Sequence, residues 1–459
     1  MTRTLAGALL LTAVAAGVVI AGLSVQRDLR YQNLVADGNR ALATEQTFAA
    51  IEAFSGAIAL REDSMVACLR RGEAYRKRGE FEAALRDFRA ASRIDRNAVR
   101  PAELMGDVEY DLGRFAKAVE AYRRGAAIDD GNARVQYKLG LAMFRAGDAE
   151  GAAVPLRRAA SLDPRMAEAR YALGLSLRHT GQRDEAIQAL EEAVKVSPAL
   201  SAAREELAAL YAEAGRAPEG IVQLEAIAAL EPGRPERQAA VGLAQARAGR
   251  TDLAVGLLGR TAERYPDNAV IYVALGRVWF ESAERARDRV GLRKAIEALE
   301  PFTRGPSASA EALALYGRAL VLSGDVARGE VMLRQAADML PVSPDTLLWL
   351  ADAAERLGHY PAVRSALERW AAIAPESHPN LAAVYERIGD LATRLGDPAA
   401  AVRAWQLAAG PAASAALLAR LAEAELAEGH TDAARATVAR GLARDPRHPV
   451  LLALQRKTQ

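Results

Sequence analysis

Several residue types are scarce in this sequence of 459 residues. It contains a single cysteine, Cys68, so no internal disulfide framework and no cysteine-cluster metal site can form. Aromatic residues make up only 5% of the chain, whereas 51% of its residues are hydrophobic. We therefore expect a core of small and aliphatic side chains, with Cys68 as one of its buried members.

Net charge is also nearly absent. Sixty Lys and Arg residues oppose 58 Asp and Glu residues, which leaves a formal charge of +2. Proteins that bind nucleic acids usually present a strongly basic surface that neutralises phosphates. The balance of charges therefore predicts that no nucleic acid is a partner.

Histidine is rare and dispersed. No spacing typical of a metal site or an activated nucleophile surrounds the five histidines, which are His179, His359, His378, His430 and His448. The glycines form no phosphate-binding loop. We therefore predict that the chain is not an enzyme and that it has no catalytic residue, no metal and no cofactor.

An uncharged segment, Thr4–Gln26, lies near the start of the chain between Arg3 and Arg27. As a helix rising about 1.5 Å per residue, it would reach about 30 Å and span a bilayer. We predict a single transmembrane anchor within residues 1–30, in the cytoplasmic membrane. Cleavage after Ser24, as in a secretory signal peptide, is the alternative.

The residues flanking this segment do not decide its orientation, because the positive charges on its two sides nearly balance. The usual behaviour of N-terminal signal anchors favours a periplasmic location for the rest of the chain. Three small residues at intervals of four, Ala13, Gly17 and Ala21, would let two membrane helices approach and self-associate. The alternative is that they are plain lipid-facing spacers.

Beyond this segment the sequence repeats with a period of 34 residues. Three series of small residues mark the period: Gly38, Gly72, Gly106, Gly140, Gly174, Ala208 and Gly242; Ala50, Ala84, Ala118, Ala152, Ala186, Gly220 and Ala254; and Gly79, Gly113, Gly147, Gly181, Gly215 and Gly249. The first two series predict positions where paired antiparallel helices cross closely. The third predicts their connecting turn, where glycine readily adopts a left-handed conformation.

This pattern resembles the tetratricopeptide repeat. The second unit shows the family's order of small and aromatic residues in Gly72, Tyr75, Gly79, Phe81, Ala84, Phe88 and Ala91, and it departs at Arg96, where proline is typical. The resemblance implies an all-α solenoid, a right-handed superhelix of helical hairpins. Its concave wall would be lined by the first helix of each repeat.

In this register we predict twelve repeats. They begin at Tyr31, Met65, Val99, Ala133, Ala167, Ser201, Pro235, Ala269, Ala310, Pro344, Ala382 and Ala415. The eighth carries seven additional residues, which predict an extended, solvated hairpin, a partner-contacting protrusion or a bend. The expected organisation is residues 1–30 as anchor, 31–309 as repeats one to eight, 310–448 as repeats nine to twelve, and 449–459 as a short cap.

The resemblance also implies where a partner would bind. Members of the family typically hold a peptide or helix of another protein in the concave groove, at positions 2, 5, 9, 12 and 13 of each repeat. In repeats three to five, the candidates at these positions are Tyr110, Arg134, Tyr137, Leu141, Phe144, Arg145, Tyr171, Leu175, Arg178 and His179. Aromatic residues and arginine are common interface anchors. The alternative is that some of these rings pack against the next helix.

Three functions are compatible with this pattern. The first is a membrane-anchored scaffold or adaptor that holds a protein partner during assembly of an envelope complex. The second is a groove that binds a polymer such as an exopolysaccharide strand, with Tyr137, Phe144 and Tyr171 stacking on sugars. The third is a regulatory subunit of a catalytic partner, which the sequence does not separate from scaffolding.

Overall fold

The computed structural model describes residues 2–305 and 308–458, with side chains from residue 21 onward. This part of the chain is all-α, with 25 α-helices, one 3-10 helix and no β-strand. Two compact units, Met1–Gln223 and Leu224–Gln459, can be distinguished. The predicted division at residues 309 and 310 stays a prediction.

The first unit contains α1 (Thr2–Ala43), α2 (Thr47–Leu60), α3 (Met65–Lys77), α4 (Phe81–Ile94), α5 (Val99–Asp111), α6 (Phe115–Ile128), α7 (Ala133–Arg145), α8 (Ala149–Leu162), α9 (Ala167–His179), α10 (Arg183–Val196) and α11 (Ser201–Glu213). The unit boundary falls inside α12 (Ala217–Leu230).

The second unit contains α13 (Pro235–Arg247), α14 (Thr251–Arg264), α15 (Ala269–Ala286), α16 (Arg289–Leu299), the 3-10 helix Glu300–Phe302, α17 (Ala310–Ser323), α18 (Val326–Ala337), α19 (Pro344–Arg356), α20 (Tyr360–Ile373), α21 (Leu381–Arg394), α22 (Pro398–Ala408), α23 (Ala415–Ala427), α24 (Thr431–Arg444) and α25 (Pro449–Thr458).

Within each unit, consecutive helices pair as hairpins, and each hairpin packs on the next. We call the odd-numbered helices from α1 to α23 first helices and the even-numbered ones from α2 to α24 second helices. The predicted repeat starts coincide with the start of a first helix at ten positions, from Met65 to Pro344 and at Ala415. Tyr31 instead lies inside α1, and α21 begins one residue before Ala382.

Polar side chains mark where many of these helices begin. The side chain of Ser64 accepts a hydrogen bond from the backbone N–H of Ala67 at the start of α3, and Asn132 does the same for Val135 in α7. Asp148 caps the second helix α8 through the N–H of Gly151. Such caps satisfy backbone donors that have no partner within the helix.

The turns inside the hairpins explain the third series of glycines. Each of Gly79, Gly113, Gly147, Gly181, Gly215 and Gly249 has a positive φ, between 70° and 91°. Residues with a Cβ atom rarely adopt this conformation, so glycine is required for the turn and not for space. The predicted position of the turn is confirmed.

The first series marks a close approach of the two helices in a hairpin. A Cβ atom added to Gly72 would lie 2.5 Å from the ring of Phe88, and one added to Gly106 would lie 2.4 Å from the ring of Tyr122. Both rings are buried. The glycine of the first helix thus accepts a large side chain of the second helix, which confirms the predicted crossing.

Five of the seven additional residues of the eighth repeat are accounted for by a longer first helix. Helix α15 has 18 residues, where the first helices α3, α5 and α7 have 13. It ends at Ala286, the next residue Arg287 has a positive φ of 55°, and residues 284–290 are all exposed. Gly276 consequently meets Leu299, not the residue at the regular spacing. The prediction of an extended, solvated hairpin is confirmed.

The predicted membrane segment, Thr4–Gln26, falls mainly on residues whose side chains lie outside the described part. Among the residues that are described, no helix combines the length and the apolar character needed to cross a bilayer. From Ala21 to Arg30 the side chains of α1 are exposed.

Candidate functional site

All ten predicted groove residues lie on the first helices α5, α7 and α9 of the first unit. Neighbouring first helices contact one another, as α7 does with α9. The ring of Phe144 on α7 meets the ring of His179 on α9 edge to face, with centroids 6.1 Å apart. The structure therefore brings these residues to one surface, which we call the first-helix face of the first unit.

The aromatic candidates on this face are half-buried. Tyr137, Phe144 and Tyr171 pack against a core cluster that includes Leu173 and Leu207. Burial raises the pKa of Tyr137 and Tyr171, and neighbouring glutamates raise it further. These phenols therefore stay protonated at neutral pH, and part of the surface of each ring packs against the hydrophobic core.

Some of the arginine candidates already form ion pairs with carboxylates of neighbouring helices. Arg178 donates to Glu213 at 2.7 Å and also to Glu206, both on α11. Arg134 on α7 donates to Glu103 on α5 at 2.9 Å. Two of the three predicted arginines thus hold adjacent first helices together, and a partner would have to compete with these ion pairs.

Glu103 is the centre of this network. Its side chain is 1% exposed, and it accepts hydrogen bonds from Lys138 at 2.7 Å, from Arg134 and, at 3.1 Å, from Arg100. Burial alone would raise the pKa of Glu103, but the bond from Lys138 and the three positive charges outweigh burial and lower it. Glu103 is therefore ionised at neutral pH.

Sequence reasoning missed this network, although a signal was present. Glu103 is separated from Arg134 by 31 residues and from Lys138 by 35, both close to the repeat period. Arg76 pairs with Asp107 and Asp111 at separations of 31 and 35. Opposite charges about one period apart therefore lie on adjacent first helices.

The same face opens into a cavity of about 810 Å³ between α1, α3 and α5, which we call the first-helix cavity. Its lining residues are Asn39, Leu42, Ala43, Arg70, Glu73, Arg76, Lys77, Phe81, Arg100, Leu104, Asp107 and Asp111. Nine of these twelve occupy positions 2, 9, 12 or 13 of their repeats, the register predicted for the groove. None of the ten predicted candidates is among them, because the prediction selected the register positions of repeats three to five, where aromatic side chains are frequent.

Comparison with known families decides the repeat type. Four segments match family models, one described as TPR repeat over residues 106–147 and three described as tetratricopeptide repeat over residues 66–97, 167–200 and 241–268. The chain contains tetratricopeptide repeats. The predicted number of twelve stays a prediction, since the matches cover only these segments.

Solved structures resemble parts of this tetratricopeptide-repeat chain. MamA is 27% identical over 35% of this chain and 95% of its own, with a TM-score of 0.34. YrrB, described as a TPR protein with an unusual peptide-binding site, is 22% identical over 40% and 94%, with a TM-score of 0.36. PilF of Pseudomonas aeruginosa is 20% identical over 46% and 96%, with a TM-score of 0.37. At these TM-scores the likeness carries no conclusion about function. No curated protein matches the chain.

The second unit of the tetratricopeptide-repeat chain has a separate acidic cleft of about 460 Å³. Glu281, Glu284, Glu311 and Asp345 line it, together with Arg277 and Trp349. Arg277 pairs with Glu311 at 2.6 Å. Two of these carboxylates, Glu311 and Asp345, occupy position 2 of repeats nine and ten in the predicted register.

Cys68 lies on α3 and is 3% exposed in the core of the first unit. Burial raises the pKa of its thiol, and the charge of Asp87 raises it further, while Arg71 acts in the opposite direction. The thiol is therefore protonated at neutral pH, and the prediction of a buried cysteine is confirmed.

Proposed function

We propose that this chain is a membrane-anchored scaffold that holds a segment of a partner protein during assembly of an envelope complex. The observation that carries the proposal is the first-helix cavity of the first unit, with its volume of about 810 Å³. Cavities of about 300–1,000 Å³ are typical of binding sites. The family resemblance favours a peptide or helix as occupant.

The charges of the cavity indicate what such a segment would carry. Arg76 and Arg100 are already paired with carboxylates of the cavity wall, whereas Lys77 is exposed and has no ion pair with any described residue. Leu42 and Leu104 supply apolar surface. A segment with an acidic residue facing Lys77 and an apolar residue beside it would fit, and the charges would set its register more than its affinity.

Site-specific crosslinking in intact cells tests this proposal. A photoreactive residue at Lys77 should capture one defined protein, and the same residue at Val154, which is 70% exposed on α8, should not. The captured protein, once purified, should bind Lys77→Glu more weakly than the unchanged chain. Equal capture at both positions, or unchanged affinity of Lys77→Glu, would exclude the cavity as the binding site.

The uncharged segment Thr4–Gln26 supports anchoring in the cytoplasmic membrane. We place the repeats on the periplasmic side, with self-association through Ala13, Gly17 and Ala21 as an additional possibility for the membrane helix. A fusion to alkaline phosphatase should be active, and carbonate washing should leave the chain in the membrane. Recovery of a shortened, soluble chain would indicate cleavage after Ser24 instead.

Polymer binding is the second candidate, because Tyr137, Phe144 and Tyr171 each leave part of a ring exposed on neighbouring first helices. Retention of the chain on immobilised exopolysaccharide, lost in Tyr171→Ala, would favour this function over peptide capture. A regulatory role would appear as a change in the catalytic rate of the captured protein on binding.

A further inference from the structure

A second cavity of the first unit lies between the second helices α4 and α6, with α5 beneath it. Its volume is about 520 Å³, and Leu85, Met105 and Ala121 contribute apolar surface. We call it the α4–α6 groove. It is formed by second helices, so it is separate from the first-helix cavity.

Four cations surround the α4–α6 groove: Arg89 and Arg93 on α4, and Lys117 and Arg124 on α6. All four are exposed, and none forms an ion pair with a residue that the structure describes. Arg124 donates only a long hydrogen bond of 3.4 Å, to the backbone oxygen of Glu120. Glu120 also lines the groove, so the four cations face two carboxylates, and the remaining positive charge is neutralised by no direct ion pair.

A buried carboxylate lies at the bottom of this groove. Glu109 is 6% exposed, and its Oε2 accepts no hydrogen bond within the described structure. Arg114 forms an ion pair with that oxygen at 3.5 Å without a hydrogen bond, and it is hydrogen-bonded to Glu82 at 3.0 Å. A buried acceptor without a donor is costly. A ligand that offers an N–H group there would remove this cost.

The repeat architecture supplies an internal control. A groove of about 330 Å³ lies between α8 and α10, two periods later, and shares most lining positions with the α4–α6 groove. At the positions of Arg89, Arg93, Lys117, Arg124 and Glu109 it has Arg157, Ser161, Glu185, Glu192 and Leu177.

With these replacements, the positive and negative side chains that line the α8–α10 groove neutralise one another. Arg157 pairs with Glu185 at 3.1 Å, and Arg170 pairs with Glu192 at 3.3 Å. The leucine at the bottom needs no hydrogen-bond donor, and the buried atom without a partner in this groove is a donor, Nη1 of Arg170, not an acceptor. Packing of the second helices therefore accounts for the existence of a groove, but not for the free cations and the unsatisfied carboxylate of the α4–α6 groove.

We propose that the α4–α6 groove binds an acidic, extended segment of a partner protein. Carboxylates of the segment would pair with Arg89, Arg93, Lys117 and Arg124, and one of its backbone N–H groups would donate to Oε2 of Glu109. A plain anion would meet repulsion from Glu109 and could not satisfy it, whereas a peptide brings donors between its acidic side chains. The scaffold would thus hold a protein segment on each of two surfaces.

The test uses the full chain in detergent and a fluorescein-labelled decapeptide of alternating Glu and Ser, followed by fluorescence anisotropy. The triple variant Arg93→Ser, Lys117→Glu, Arg124→Glu copies the α8–α10 groove and is expected to bind at least about tenfold more weakly. The reverse change, Ser161→Arg, Glu185→Lys, Glu192→Arg, made in that triple variant should restore part of the affinity. Circular dichroism controls for folding, and a Gln and Ser peptide should not bind.

Glu109→Leu, which leaves the second lining carboxylate Glu120 in place, separates this proposal from simple charge attraction. Removing a negative charge would strengthen the attraction of any anion, but we expect affinity for the Glu and Ser peptide to fall at least about threefold, because the N–H acceptor is lost. Unchanged binding of the triple variant, stronger binding of Glu109→Leu, or tighter binding of a thymidine decanucleotide than of the peptide would each overturn the proposal. None of these outcomes depends on the first-helix cavity.

Discussion

The two compact units use the same contact between paired helices, but one repeat of the second unit makes it at a different distance along the sequence. In the first unit a glycine of the first helix accepts a side chain of the second helix, as Gly72 accepts Phe88. The same spacing in the eighth repeat would pair Gly276 with Leu292, yet Gly276 accepts Leu299, two helical turns further along. The difference teaches that the contact is conserved by lengthening a helix when residues are inserted, because an unfilled glycine site would leave a cavity.

The units also differ in how they balance charge between first helices. In the first unit the centre of the network is a carboxylate, Glu103, whose side chain is 1% exposed. In the second unit an arginine, Arg318, holds Asp352 at 2.5 Å and Glu284 at 3.5 Å, and its side chain is 16% exposed. The centre of the network between first helices is thus buried in the first unit and lies nearer to solvent in the second.

The largest expected effect follows from filling a glycine site of the first unit. A Cβ atom at Gly140 would lie 2.4 Å from Leu156 and 3.1 Å from the backbone oxygen of Ala152. We expect Gly140→Val to destabilise the first unit by about 4 kcal/mol, because the backbone cannot yield as a side chain can. Hydrogen exchange measured by mass spectrometry should show lost protection in the first unit only.

Gly147, in the turn of the same hairpin, is the matched control. It has a φ of 91° and open space around the site of a Cβ atom. Gly147→Ala should cost about 1 kcal/mol through backbone strain alone. Equal losses at the two glycines would contradict the close crossing.

The shifted contact of the second unit is tested by Leu299→Ala, for which we expect a loss of about 3 kcal/mol, since Leu299 is fully buried. Gly276→Ala should be costly alone but nearly neutral when combined with Leu299→Ala, which removes the clash. Leu292, at the spacing that separates Gly72 from Phe88, should give no such rescue. Rescue by Leu292→Ala in urea unfolding would show that the insertion leaves the register unchanged.

A smaller loss of folding stability is expected from Glu103→Gln, which would weaken the hydrogen bonds with Lys138, Arg134 and Arg100. We predict a loss of about 2 kcal/mol at neutral pH, measured by chemical unfolding of the first unit.

The effect should depend on pH in a defined direction. Because the pKa of Glu103 is lower in the folded state, its stabilisation is complete above the unfolded pKa of about 4.3 and is lost as pH falls through the folded pKa. The difference between Glu103→Gln and the unchanged chain should therefore shrink below about pH 4. A constant difference would argue against an ionised Glu103.

The smallest effect on stability is expected from an exposed ion pair between first helices of the second unit. Glu355 pairs with Arg387, and the two side chains are 47% and 44% exposed. Glu355→Gln should change the stability of the second unit by about 0.5 kcal/mol or less, because solvent screens the pair. A loss as large as that of Glu103→Gln would remove the distinction between the two networks.

Much of the fold could be predicted from the residues because the repeat is encoded locally. The left-handed turn at Gly79 needs glycine, and the crossing at Gly72 needs a small residue, so both leave a periodic mark. The charge network is different, because pairs such as Glu103 with Lys138 follow no fixed residue type at a fixed position. The candidate rings Tyr137 and Tyr171 lie on first helices, as the register predicts, but how far each is buried could not be foreseen.

By itself, the sequence determined the helical hairpins, their period and the close crossing of the two helices in a hairpin, since small side chains and turn glycines act within a single repeat. Only the tertiary structure decided which charges meet and where Leu299 packs. It also decided that the cations of the α4–α6 groove form no ion pair, whereas Arg157 pairs with Glu185 in the α8–α10 groove. The physical reason is that electrostatic and packing contacts depend on distances between neighbouring repeats of a few ångströms, which residue identity does not specify.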